Sequence, residues 1–196
     1  MWCNDMHKSS NAFKEIVWPC IADHLGNGAL IPVEDVTEDT MRKSLDQLAG
    51  IDAWHIHNKY GIRGIGSRIQ VGKNWRTFTV RYKRDSGAET EYEKRKRAIN
   101  SEHGWIYPHL TVQAYLETWQ GPLVGVCIAK TKDIIEYVSN GCCEFNRTNN
   151  ASFAVVSWDG LKQCGCEIIE IEQKNTGKHE LSGTWRSLTF SWNRLN

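Results

Sequence analysis

Apolar residues recur at three- and four-residue spacing over residues 9–25, where Phe13, Ile16, Val17, Cys20 and Ile21 make one stripe. That period predicts an amphipathic helix. Ser9 or Ser10 is its N-cap, and Pro19 inside the pattern is a kink or early stop. Residues 25–32, with Gly26 and Gly28, read as a loop. A second helix is expected over residues 37–49, capped by Thr37, buried along Met41, Leu45 and Leu48, and closed by Gly50. The period then falls to two. Residues 51–57 alternate, with Asp52, Trp54 and Ile56 on one face and Ala53, His55 and His57 on the other. Residues 60–66 are glycine-rich and read as a turn, followed by strands over 67–71 and 75–83, with Thr77, Thr79, Arg81 and Lys83 sharing one side of the latter. A charged helix is expected over 89–100, with Glu91–Arg95 and Glu93–Arg97 at i,i+4 spacing. Strands at 110–116 and 123–129, a helix at 131–140, and strands at 152–158, 167–173 and 180–192 complete the pattern.

This order predicts an α+β or α/β fold, a mixed central sheet flanked by helices. One domain over 1–196 is expected: a helical extension over 1–36, a core over 37–140, and C-terminal strands over 141–196 that complete the sheet. Net charge is +1, so attraction to a polyanion must come from local clustering. No apolar run approaches the roughly 20 residues of a membrane helix, and the start shows no secretory leader. The seven cysteines are irregularly placed, which reads as a cytoplasmic chain with reduced thiols. In that setting the sequons at Asn146 and Asn150 carry no sugar. The nine tryptophans read mainly as core and interface.

Candidate chemistry centres on Asp52. A carboxylate between Ile51 and Trp54 is costly to bury unless it is paired or bound to a cation. It either binds a divalent metal, which prefers few carboxylates plus water and phosphate oxygens, or it caps a turn or pairs with Arg63 or Arg68. His55 and His57 share a strand face but make an incomplete zinc set. Cys142, Cys143, Cys164 and Cys166 lack zinc spacing. The run GIRGIGSR precedes a strand rather than a helix, so it offers no helix N-terminus to a phosphate. A glycosidase built on Glu34, Glu38 or Glu117 has no pair at a fixed separation.

LDQLAGIDAW, then RIQ on the next strand, a third strand and a basic helix together resemble the PD-(D/E)XK nuclease superfamily, the restriction-endonuclease-like fold, over about residues 37–116. The resemblance implies a metal-dependent nuclease that acts on or binds DNA. Asp52 and Gln70 would hold Mg²⁺ or Mn²⁺. Gly72 stands where the family has lysine, so Lys73 or Arg81 would supply the catalytic cation. Asp46 or Glu38 would complete the metal set.

Seven cations lie within residues 81–97, against Asp85, Glu89, Glu91 and Glu93. Arg68, Lys83, Arg84, Lys94, Arg95 and Arg97 are therefore expected to contact phosphates, with DNA ahead of RNA as the partner. The competing expectation is a solvated helix laced with ion pairs. The C-terminal part could supply a homodimer or recognition surface. The alternative from a different class is a non-catalytic protein-interaction module whose anchors are Trp and Arg.

Overall fold

The computed structural model describes residues 2–35, 38, 40–41, 44–59, 61–172 and 186–187. Its strands form two sheets. The larger has seven strands, which we number β1 (Ala29–Pro32), β2 (Ala53–His57), β3 (Gly61–Val71), β5 (Leu110–Leu116), β6 (Leu123–Lys130), β9 (Ile168–Glu172) and β10 (Arg186–Ser187), lying side by side in that order. All neighbours are antiparallel except β3 and β5. The smaller sheet places β8 (Ala151–Ser157) between β4 (Thr77–Arg84) and β7 (Glu144–Arg147). The fold is thus α+β with a mixed central sheet, as the hydrophobic pattern predicts.

The N-terminal helix runs farther than expected. It begins as α1 (Trp2–Ala12), widens into a π turn (Phe13–Val17), and continues as α2 (Trp18–Ile21). Pro19 sits in the first turn of α2, directly after the π turn. The π turn just before it, closed by Trp18 N–H on Phe13 C=O, absorbs the irregularity. Phe13, Val17, Ile21 and Leu25 pack on one face of the large sheet, against Ile65, Val112, Ala114 and Ile128.

The other face carries a second core. Tyr115 and Cys127 from the large sheet meet Phe78, Val80, Ala154 and Val156 from the small one. Helices α3 (Glu91–Ile99), α4 (Thr131–Ser139) and α5 (Trp158–Gln163) close it, with Trp158 wholly buried at the centre. Alternation along β4 sends Phe78 and Val80 inward and leaves Thr79 and Arg81 on the opposite side.

Three expectations change. Residues 61–66 are strand rather than turn. Their glycines serve close packing: a Cβ on Gly66 would stand 2.8 Å from the Arg95 guanidinium, and one on Gly64 would stand 3.0 Å from Ile51. Residues 29–32 form a strand rather than a loop, paired with β2. The third strand of the expected meander, β4, pairs with β8 and so belongs to the second sheet. Thr37, the expected N-cap of the second helix, lies outside the described residues, and of the strand expected over 180–192 only Arg186–Ser187 is described.

Helix α3 is fixed at both levels of structure. Thr90 caps it in a reciprocal box with Glu93. Glu91 then accepts from Arg95 at 2.9 Å and from Arg68 of β3 at 3.0 Å, while the Arg81 amide of β4 approaches at 3.3 Å. Burial opposes the charge on Glu91, yet Arg95 and Arg68 outweigh it and hold its pKa below the usual carboxylate range. Glu91 contributes its stability above its unfolded pKa of about 4.3 and loses it as pH falls through the lower folded value. Glu91→Ala strands Arg95, which is 6 % exposed, and is expected to cost about 3 kcal/mol in urea unfolding at neutral pH. A loss below about 1 kcal/mol would be the size of an exposed pair and would contradict this role.

Candidate nucleic-acid interface

The site begins with an irregularity in β4. Arg81 faces Phe153 across the β4–β8 ladder, but Lys83 faces Ser152 and Arg84 faces Ala151, so Tyr82 is an extra residue. In an unbroken strand, positions 81 and 84 would point to opposite faces. The bulge inserts one residue and brings Arg84 onto the Arg81 face, with Phe153 and Ala151. The sequence pattern pairs Arg81 with Lys83 instead. The structure turns Lys83 away and puts Arg84 in its place.

Arg81, Arg84, Asp85, Ser86, Thr148, Asn150, Ala151 and Phe153 line a cleft of about 520 Å³. Its far wall is the β7–β8 turn, held by Thr148 N–H on Ala151 C=O at 2.8 Å and by Asp85 N–H on Asn150 C=O at 3.2 Å. The Arg81 guanidinium lies 5.4 Å from the Phe153 ring centre, and Arg68 lies 5.9 Å from it. Arg68 is committed to the protein: it donates to the Thr79 carbonyl and hydroxyl at 2.8 Å each and to Glu91. Arg81 is different. Among the described ion pairs none takes its guanidinium. Burial lowers its pKa below the ordinary guanidinium value, the Arg84 and Arg68 charges lower it further, and Glu91 offsets only part of this. Thr148 and Asn150 escape the hydrophobic pattern; the only trace of them is the polar run Thr148-Asn149-Asn150 between two strand-like segments.

The other expected phosphate contacts scatter. Arg95 turns inward to Glu91 and is buried beneath α3. Arg97 pairs with Glu89 and covers Trp105, with its guanidinium 4.7 Å from a ring centre. Lys94 is half-buried on the same helix. Lys73 lies 4.5 Å over the exposed Trp75 ring, in the loop before β4. Arg76, unremarked in the sequence pattern, ties that loop to Asp159, Glu170 and Glu172 and lies over Trp158. Burial works to lower its pKa, and the three carboxylates more than reverse that.

Asp52 and Gln70 do not converge. The Asp52 carboxylate accepts from the Ser67 amide and hydroxyl, the latter at 3.2 Å, so it ties the start of β2 to β3. Gln70 lies three residues beyond Ser67 on the same strand, on the opposite face and about 10 Å farther along. One divalent ion needs both oxygens within roughly 2–2.6 Å of itself, so this pair does not form its site. Among the described residues, no group of three or more His, Cys, Asp or Glu side chains is placed to hold a metal. Glu38 is exposed and accepts backbone N–H groups of its own turn; the Asp46 side chain lies outside the described residues. The described cysteines Cys20, Cys127, Cys142, Cys143, Cys164 and Cys166 are free thiols.

His55 and His57 are clamps. His55 Nε2 donates to Asn27 C=O at 2.7 Å, and His57 Nε2 donates to Gly26 C=O at 2.9 Å while its Nδ1 accepts from the Lys59 amide. Both hold the 26–28 turn against β2, where a Cβ on Gly28 would strike Ile56 C=O. His55 is fully buried. Burial lowers its pKa; the bond to Asn27 opposes this, and His57 and Arg63 add to it. None of the described helices is long and apolar enough to cross a membrane. No protein-family model, no curated protein and no solved structure matches the chain.

Because the folded His55 pKa is depressed, the unfolded chain takes up a proton first as pH falls. Stability is therefore expected to decline below about pH 6.5. The measured check is the thermal midpoint between pH 7.5 and 5.5 in wild type and His55→Gln. Burial also lowers the His109 pKa, so a drop in wild type that is shallower in the variant is the expected result, and parallel curves would contradict it.

Proposed function

We propose that this protein binds nucleic acid, DNA in the first instance, through the cleft between the end of β4 and the β7–β8 turn. One observation carries the reading: the fold crowds Arg81 with Arg84 and Arg68 on one face and gives Arg81 no carboxylate partner among the described ion pairs. Like charges held together in this way are relieved by an anion, and guanidinium forks match phosphate geometry. The Phe153 ring beside them adds an aromatic surface that a base can stack on. The reading is binding rather than cutting, because the Asp52 carboxylate is held at Ser67 while Gln70 lies about 10 Å farther along β3 on its opposite face.

A second reading has its own observation. Trp105 and Ile106 are 47 % and 56 % exposed beside Arg97. Trp and Arg of this kind anchor protein interfaces, and a well-folded chain that bound no nucleic acid would shift the balance toward this patch.

Fluorescence anisotropy with labelled DNA is expected to show binding that weakens roughly tenfold for each of Arg81→Gln and Arg84→Gln. The salt dependence should become shallower by about one contact per substitution. Equal affinity for wild type and the double variant would contradict the site. Plasmid and single-stranded DNA incubated with Mg²⁺ or Mn²⁺ should remain intact. Metal-dependent cutting abolished by Asp52→Ala would overturn the non-hydrolytic reading.

A further inference from the structure

The cleft has a shape as well as a charge, and its shape bears on which form of nucleic acid fits. It is an open, shallow concavity of about 520 Å³. Its floor is the Phe153 ring with the Arg81 guanidinium against it, and Arg68 braces the ring from β3. Ser86, Thr148 and Asn150 put hydroxyl and amide groups on the rim. Thr148 Oγ1 donates to Ala151 C=O at 3.0 Å, so its lone pairs remain available to a donor.

The charge around the cleft is mixed. Asp85 lies on its wall and pairs with Arg147 at 3.8 Å. A duplex footprint presents many phosphates along both strands. Laid over this surface, it would bring a phosphate against Asp85, and its paired bases would stay out of the concavity. A single strand needs only one or two cations here and can turn a base into the cleft.

We propose that the cleft receives one unpaired nucleotide of a single strand, its base on the Phe153–Arg81 platform and its phosphate between Arg81 and Arg84. This rests on the nucleic-acid reading above and narrows it to single strands. The guanidinium of Arg81 serves both contacts, since its flat face stacks while its edge donates hydrogen bonds. Asn150 and Thr148 then face the base edge, and Arg84 sets which side of the cleft the backbone follows.

The experiment compares anisotropy of labelled (dT)12 and a 12-base-pair duplex against wild type, Phe153→Leu and Asn150→Asp. Phe153→Leu keeps an apolar side chain on β8. Asn150→Asp lies on an exposed turn and places a carboxylate in the cleft without touching the core. Wild type is expected to bind (dT)12 at least tenfold tighter than the duplex, with a salt slope of about −1 to −2 in logarithmic units. Phe153→Leu should weaken (dT)12 binding about tenfold and leave duplex binding unchanged. Asn150→Asp should weaken (dT)12 binding by a similar factor, which keeps the test intact if the Phe153 variant unfolds. Equal or tighter duplex binding, or (dT)12 affinity indifferent to both substitutions, would overturn the single-strand inference while leaving nucleic-acid binding standing. Binding of neither oligonucleotide by folded wild type would overturn both.

Discussion

Glu91 is the group on which the arrangement of this protein depends. It lies at the first turn of α3, yet its carboxylate is spent on other elements: Arg68 from β3 and the Arg81 amide from β4, besides Arg95 of its own helix. Three charges and an amide are thus resolved at one point where a helix and both sheets meet. Burying a lone carboxylate there would be prohibitive, and burying Arg95 without it equally so. The glycines of β3 follow from the same constraint, because Gly66 is the space that the Arg95 side chain needs. This junction ties α3 to β3 of the large sheet and β4 of the small one, and through Arg68 it also reaches the Phe153 ring.

The cleft is a consequence of that placement plus one inserted residue. Arg68 uses its donors on Thr79 and Glu91, so its charge reaches the site while its hydrogen bonds do not. The bulge at Tyr82 gathers Arg84 onto the same face as Arg81. Tyr82 itself is turned toward Tyr92 and Phe145, 4.9 and 4.7 Å away between ring centres, so the bulge is packed rather than loose. The cation excess is local, in a chain whose net charge is only +1. That balance favours a short, localised contact over a long electrostatic footprint.

Much of the fold was legible in the sequence because period carries it. The strands at 110–116 and 123–130 and the helix at 131–139 lie where the alternation and the 3.6-residue stripe put them. Glycine was the main source of error. In residues 61–66 it is read as a turn signal, whereas here it admits Arg95 and Ile51 against the strand. The site was less legible. Asp52 was expected to bind a metal, cap a turn or pair with Arg63 or Arg68, and its carboxylate accepts from the Ser67 amide and hydroxyl. Arg84 was expected at a phosphate and Arg81 as a catalytic cation, but their shared face depends on a bulge, which no alternation pattern encodes. Phe153 and Asn150 come from more than 65 residues farther along the chain, so only the pairing of β4 with β8 reveals them. Arg95 shows the opposite failure: a cation in a basic run that the fold turns inward to meet Glu91.

The most direct test of this account is an NMR titration of the ¹⁵N-labelled protein with (dT)6, following backbone amides and arginine Nε–Hε resonances together. The account predicts that the largest shifts fall on the Nε–Hε groups of Arg81 and Arg84 and on the amides of Thr148, Asn150 and Phe153, with Arg68 and Arg95 little changed. Shifts centred instead on Lys73 and Trp75, or on Arg97 and Trp105, with the β4–β8 cleft silent, would contradict it.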